Sequence, residues 1–310
     1  MYEQYRWLGW RRSASLRRRL RSWDLLRARF GGYQIVVLQR ELFDDDSWDL
    51  EQRFRDTSSV MILDVDDAVF LRHPNKFEKL ATICDAVVAG NAALAERARD
   101  FNQHVTLIPT TVDLERYAAR LEQNGTKPAV IGWTGTSGNL KELELVQSSL
   151  RELGQRFEFE LRIVCDRPDP LSALDFGGVT VQFVPWNQHS EVQDLQTFDI
   201  GVMPLADSQW SRYKCGLKIL QYMAAGIPAV ASPVGVNSEI ICDGENGFLA
   251  DTPARWTQVL DTLIADRELR RRIGAAGRRT VEESFSVQSQ LPALVEVFEQ
   301  TVQRVAGKTA

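Results

Sequence analysis

Tyr213–Glu239 reads YKCGLKILQYMAAGIPAVASPVGVNSE, a helix, a tight turn, a buried strand and a polar loop in one unit. From Lys214 to Ala225 the apolar residues Leu217, Leu220 and Met223–Ala225 recur at helical spacing. Gly226 stops that helix, with Pro228 just beyond. Ala229–Ser232 reads as a short buried strand. The turn Pro233-Val234-Gly235-Val236-Asn237 can present successive backbone N–H groups beside a helix start at Ser238–Ile241, an arrangement that suits an anion.

Outward from this stretch the chain alternates strand and helix. Ile35–Gln39 forms a continuous apolar run, followed by Asp44-Asp45-Asp46, expected as a solvated loop. Val60–Leu63 makes a second strand ending in Asp64-Val65-Asp66-Asp67, Ala86–Ala89 a third and Val105–Pro109 a fourth. Helical composition over Lys76–Ile83 and Ala92–Asp100 completes a β-α-β pattern, the signature of a parallel sheet. Gln123-Asn124-Gly125-Thr126-Lys127-Pro128 reads as a polar, turn-rich linker. A second series of strands follows at Ala129–Trp133, Glu158–Cys165, Val179–Val184, Asp199–Pro204, Pro228–Ser232 and Gly247–Ala250. Arg267–Ser284 and Val287–Val305 close the chain as helices. At 310 residues, two α/β domains with a sizeable core fit comfortably.

Gly132-Trp133-Thr134-Gly135-Thr136-Ser137-Gly138 follows a strand and opens a helix expected at Asn139. Its N–H groups can face a phosphate with the helix dipole behind them, although an isolated glycine pattern of this kind is more often a tight turn. The three histidines, His73, His104 and His189, show no ligand spacing, and no GxSxG elbow occurs. Cys84, Cys165, Cys215 and Cys242 lie far apart with no CxxC pair, which argues against a zinc site or a disulfide frame and suits a reducing cytoplasm.

The net charge of −5 conceals an asymmetry, because residues 1–30 hold nine Arg against Glu3 and Asp24, a local balance of +7. Leu16, Leu20, Trp23 and Phe30 mark a basic amphipathic helix. Two readings stand: peripheral membrane contact through residues 10–30, at the inner face of the membrane, or a surface helix that buries its Leu/Trp stripe on the first domain. Nucleic acid is not expected as a partner, since no aromatic platform accompanies the Arg. The sequence holds no run of eighteen apolar residues.

The C-terminal half resembles the donor-site segment of the retaining glycosyltransferases of family 4. The resemblance rests on Lys218, Tyr222-Met223-Ala224-Ala225-Gly226-Ile227-Pro228, Ala231-Ser232, Val234-Gly235, Ser238-Glu239-Ile240 and Asp243-Gly244-Glu245-Asn246-Gly247-Phe248-Leu249. It implies an α/β chain of two Rossmann-like domains facing across a cleft (the GT-B fold). Residues 1–123 would form the acceptor side with an incomplete start, and 124–310 the donor side, with the last helix crossing back. It further implies a metal-independent, hexosyltransferase-like enzyme of glycan biosynthesis. Such an enzyme takes a nucleoside-diphosphate sugar as substrate, needs no bound cofactor, and glycosylates a glycan, lipid or small-molecule hydroxyl. Lys218 would neutralise the departing diphosphate. Gly132, Thr134, Gly135, Thr136, Ser137, Lys214, Gln221, Val234, Gly235, Val236, Asn237 and Glu239 would line the donor site. Asp66 and Asp67 would meet acceptor or donor sugar, against the alternative of plain strand-end carboxylates.

The chain departs from the family pattern in three places. Trp133 and Thr134 stand where an Arg is common, and the usual glutamate pair falls on Tyr213 and Gln221, so neither carboxylate is kept. The opening strand with its glycine-rich acceptor loop is also not found: either the start omits one or two βα units or part of the acceptor site is lost. These departures keep a second expectation open, a degenerate homologue that binds a nucleotide sugar or supports a partner enzyme without transferring the sugar.

Overall fold

The structure, a computed structural model, describes residues 9–120 and 128–309. The described chain divides into two compact units, one running to Ile108 and resumed at Ala293, the other Pro109–Pro292. The division falls at Ile108/Pro109 rather than at the expected 123/124, because the segment after Pro109 is tied into the second unit. Val112 bridges to Ser286, and Val112 and Tyr117 join that unit's core. The expected linker lies outside the described residues except for Pro128.

The first unit runs α1 (Gly9–Phe30), β1 (Ile35–Gln39), α2 (Asp49–Thr57), β2 (Val60–Val65), α3 (Pro74–Ile83), β3 (Ala86–Ala89), α4 (Ala92–Arg99) and β4 (Val105–Leu107). Its strands lie in the order β1-β2-β3-β4, all parallel, with Leu38 beside Leu63 and Leu63 beside Val87. Every residue of β3 and all of β2 but Asp64 are buried, as expected of parallel strands covered on both faces.

The second unit contains β5 (Ala129–Thr134), α5 (Glu144–Gly154), β6 (Phe159–Cys165), β7 (Thr180–Pro185), α6 (Glu191–Leu195), β8 (Ile200–Met203), α7 (Leu217–Ala224), β9 (Ala229–Ala231), α8 (Asn237–Ile240), β10 (Phe248–Leu249), α9 (Pro253–Ala265) and α10 (Arg267–Ser284). Its strands are ordered β10-β9-β8-β5-β6-β7, again all parallel. The helix expected at Asn139 starts later: a 3-10 segment, Ser137–Leu143, precedes α5. α7 ends as its sequence requires. Gly226 takes φ +73, its N–H bonds Met223 O, and the Ile227 N–H bonds Tyr222 O, the paired closure that a left-handed glycine provides after a helix.

The last helix, α11 (Val287–Thr309), contains Pro292, where the second unit ends. Beyond it Ala293, Leu294, Val297, Phe298, Val302 and Val305 pack on Val60, Ile62, Ala86 and Val88 of the first unit. Leu291 and Val295 of the same helix are exposed.

Candidate functional site: the carboxyl edge of the second sheet

Strand order locates the site. From β5 the chain steps outward through β6 to β7, then returns to the other flank of β5 as β8 and continues to β9 and β10. The direction of winding therefore reverses between β5 and β8, and in open α/β sheets ligands bind outside the carboxyl ends of the strands at that reversal. Trp133 and Thr134 end β5, and α7 starts beside them.

Lys218, in the first turn of α7, is half-buried. Its Nζ stands 4.5 Å from the centre of the Trp133 ring and 3.0 Å from where a Cβ on Gly135 would sit. A Cβ at position 135 would meet the Trp133 ring first, at 2.8 Å, and then the ammonium, so glycine there leaves room for both. Burial, with Lys214 adding repulsion, pushes the Lys218 pKa down to about 7, while Glu142 acts in the opposite sense. The ammonium is thus poorly neutralised by its surroundings, the condition in which an arriving anion gains most. Glu142 is itself tied down by the Ala206 N–H at 2.8 Å.

Two turns flank this lysine. In the first, the Gly135 N–H goes to Val164 O and the Thr134 N–H to the Tyr222 hydroxyl. Ser137 gives both its N–H and its hydroxyl to Asp166, whose carboxyl burial pushes up but these bonds bring below the usual range. The N–H groups of Thr136 and Gly138 make no hydrogen bond among the described residues. The second turn follows β9. Gly235 takes φ +55, and a Cβ there would lie 2.7 Å from Arg212 O; its N–H and that of Val236 are likewise unpaired among the described residues. α7 joins the two turns, because its opening residue Gly216, at φ +68, packs on Val236 and Ile240.

The structure brings together Lys218, Lys214, Gly135 and Thr136, with Gly235 and Val236 one helix start away. Other expected donor residues are occupied elsewhere. Gly132 is a packing glycine, since the Phe198 ring lies 2.0 Å from where its Cβ would be. Thr134 and Ser137 are buried and bonded within the unit. Val234 sits in the core, and Asn237, 1% exposed, donates to Ser232 O while its Oδ1 has no partner. Glu239 is exposed on α8.

Gln221 is a further correction. Its amide donates to the Tyr117 hydroxyl at 2.7 Å and to Glu191 at 3.3 Å. Tyr117, Arg116 and Trp186 also donate to Glu191, so the side chain expected on a ribose serves a polar cluster instead. Neither Glu142 nor Glu191 was legible as a partner, because each approaches α7 from an element distant in sequence.

Asp66 and Asp67 belong to the first unit, where Arg40 holds both. Its Nε stands 2.5 Å from Asp66 and its Nη1 3.7 Å from Asp67. Arg40 is the single non-glycine residue at positive φ (59°) among those described, a conformation disfavoured outside functional or tightly held positions. Neighbouring Asp64 has its carboxyl pushed up by burial and by Asp66, with Arg40 opposing. The acidic loop 44–46 is tethered rather than freely solvated: His73 bonds Asp44 and Asp46, and Lys76 reaches Phe43 O and Asp45.

On α1 the structure inverts one expectation. Leu25 is the buried residue, 6% exposed, while Trp23 and Phe30 are 66% and 77% exposed, so the Trp/Phe stripe is not folded onto the first unit. No helix among the described residues is long and apolar enough to cross a membrane.

Residues 128–266 match the family model described as Glycosyl transferases group 1. Spore coat protein SA of Bacillus subtilis is 29% identical over 123 residues, 38% of this chain and 32% of that protein. Sulfoquinovosyl transferase SQD2 of Arabidopsis thaliana is 32% identical over 215 residues, 66% of this chain and 40% of that protein. The chain thus spans well under half the length of these curated relatives. Among solved structures, Anabaena HepE in complex with UDP and glucose superposes with a TM-score of 0.70 at 13% identity, over 90% of this chain and 81% of that one. At that identity the likeness concerns the fold, which is GT-B with Rossmann-like α/β units.

Proposed function

We propose that this chain is a glycosyltransferase that moves a sugar from a nucleoside-diphosphate donor to an acceptor hydroxyl. The observation that carries the reading is Lys218: a cation at the point where the sheet's winding reverses, flanked by two turns with N–H groups unpaired among the described residues and left short of negative charge. A diphosphate supplies that charge, and it gains more as the sugar–phosphate bond breaks and charge develops on the leaving oxygen. The family match over residues 128–266 supports the donor class. The UDP and glucose bound to the Anabaena protein make UDP-glucose the first donor to test.

In the finer reading, transfer proceeds with retention of anomeric configuration and without a metal, as the resemblance of the motifs between Lys218 and Leu249 to family 4 implies. Asp66 and Asp67, oriented by Arg40, are assigned to the acceptor or the sugar. The acceptor is a glycan, lipid or small-molecule hydroxyl in the cytoplasm, and α1 supports a lipid-bound one through its exposed Trp23 and Phe30 beside Arg27 and Arg29.

The test is nucleotide release from UDP-glucose and related donors, with Lys218→Ala as the decisive variant. Removing one charge-stabilising donor of this kind lowers turnover by about 10²–10³-fold. Release unaffected by the substitution would dismiss Lys218 from this role. A second reading has its own support, since Tyr213 and Gln221 supply no carboxylate pair and Gln221 is committed to Tyr117 and Glu191. Under it the chain binds the nucleotide sugar without turnover, which saturable binding with no release across a panel of donors and acceptors would establish.

A further inference from the structure

At the opposite, amino-terminal edge of the second sheet lies a cavity of about 290 Å³. Asp199, just before β8, and Pro228, just before β9, line it, as do Gly226 and five arginines: Arg120, Arg267, Arg270, Arg271 and Arg278. Asp199 is the one carboxylate among the described lining residues, and Arg271 is paired from outside the lining by Glu268 at 2.9 Å.

Three of these guanidinium groups are fixed in place by backbone carbonyls. Arg270 Nη1 donates to Leu263 O and Ile264 O at 2.6 and 2.9 Å. Arg278 Nη1 donates to Tyr117 O and Ala224 O, and its Nε to Glu282. Arg120 donates to Phe198 O and Asp199. Closing helix ends in this way uses one edge of Arg270 and leaves its Nε and Nη2, and the Nη2 of Arg278, without a hydrogen bond among the described residues. Burial, with Arg120 and Arg267 close by, holds the Arg270 pKa below its ordinary value, and Asp199 and Asp266 offset this only in part. Positive charge is therefore concentrated and immobilised where a small anion would fit, and planar guanidinium forks match phosphate oxygens.

We propose that this arginine pocket is a second anion site, separate from the turns around Lys218, that takes a small phosphate-bearing ligand. It does not depend on the glycosyltransferase reading. Its distance from the donor turns is the length of the strands, about 3.3 Å per residue, so one ligand does not serve both places. α7 runs between them: Lys218 is in its first turn, and Ala224 O at its other end is bonded by Arg278.

The full chain carrying Lys218→Ala, which weakens the donor turns, is titrated calorimetrically with sodium pyrophosphate. The same titration is then run with Arg267→Glu and Arg271→Glu added. Both added positions are exposed in the first turn and a half of α10, where acidic side chains favour the helix dipole; Arg271→Glu gives up the exposed pair with Glu268, a loss of roughly a few tenths of a kcal/mol, and folding is checked by circular dichroism. Saturable binding in the first protein that weakens by about tenfold or more in the second, about 1.4 kcal/mol, is the expected result. No saturable binding in the first protein, or equal affinity in both, overturns the proposal. Arg270→Gln provides an independent check and must weaken binding in the same direction. Co-sedimentation with vesicles of phosphatidic acid then identifies the source: vesicle binding lost with Arg267→Glu and Arg271→Glu marks a lipid headgroup, whereas pyrophosphate binding without that loss marks a soluble phosphate ester.

Discussion

Lys218 shows how a single side chain acquires chemistry from its surroundings. Alone it is an ordinary lysine; burial, with Lys214 adding repulsion and Glu142 opposing, pushes its pKa down to about 7 where it stands over the Trp133 ring and beside Gly135. The charged form is present below that pH and disappears above it, so affinity for an anionic donor is expected to fall as pH rises through about 7 in the free protein. A plot of log Kd for UDP against pH should bend there. In Lys218→Arg the bend should vanish, because a guanidinium keeps its proton throughout the range. An unchanged bend in that variant would assign the titration to another group. Lys218 was legible in the sequence because its motif is local, within one helix and the turn that ends it. Arg40, Glu142 and Glu191 were not legible, since each acts on a residue brought close only by folding, and the left-handed backbone of Arg40 has no counterpart in residue type.

Among the elements, strands were the easiest to read, because a parallel strand buried on both faces is written as an unbroken apolar run. β3 matches its expected span, and α10 likewise. α1 was harder. An amphipathic pattern names a stripe without naming its partner, and here Leu25 is buried while Trp23, Leu26 and Phe30 face outward. Together with Arg19, Arg27 and Arg29 these residues suit an anionic lipid surface, where aromatic rings sit at the headgroup level and each cation near the surface adds about 1 kcal/mol. Trp23→Ser with Phe30→Ser should reduce binding to vesicles containing phosphatidylglycerol while leaving thermal stability almost unchanged, since both side chains are already exposed. A large drop in Tm instead would mean that the stripe is an internal contact.

For the whole molecule, α11 decides where the chain is divided. Its early residues follow the second unit, and from Ala293 onward it covers the first sheet, with Val297 against Val60, Ile62, Ala86 and Val88. Val297→Asp buries an unpaired carboxylate there and should destabilise the first unit by several kcal/mol, read as an earlier thermal transition than in the unaltered chain. The same melting profile in both would show that α11 is not part of that core. By itself the sequence determined the order of strands and helices, the α/β class and the motif around Lys218, because periodicity, turn glycines and short anion-suited loops are properties of neighbouring residues. Only the tertiary structure decided that Gly132 packs on Phe198 and Gln221 on Tyr117, that Arg40 holds Asp66 and Asp67, and that five arginines scattered from position 120 to 278 meet in one pocket. Those contacts depend on which faces of distant elements come together, and burial of the whole core sets that alignment.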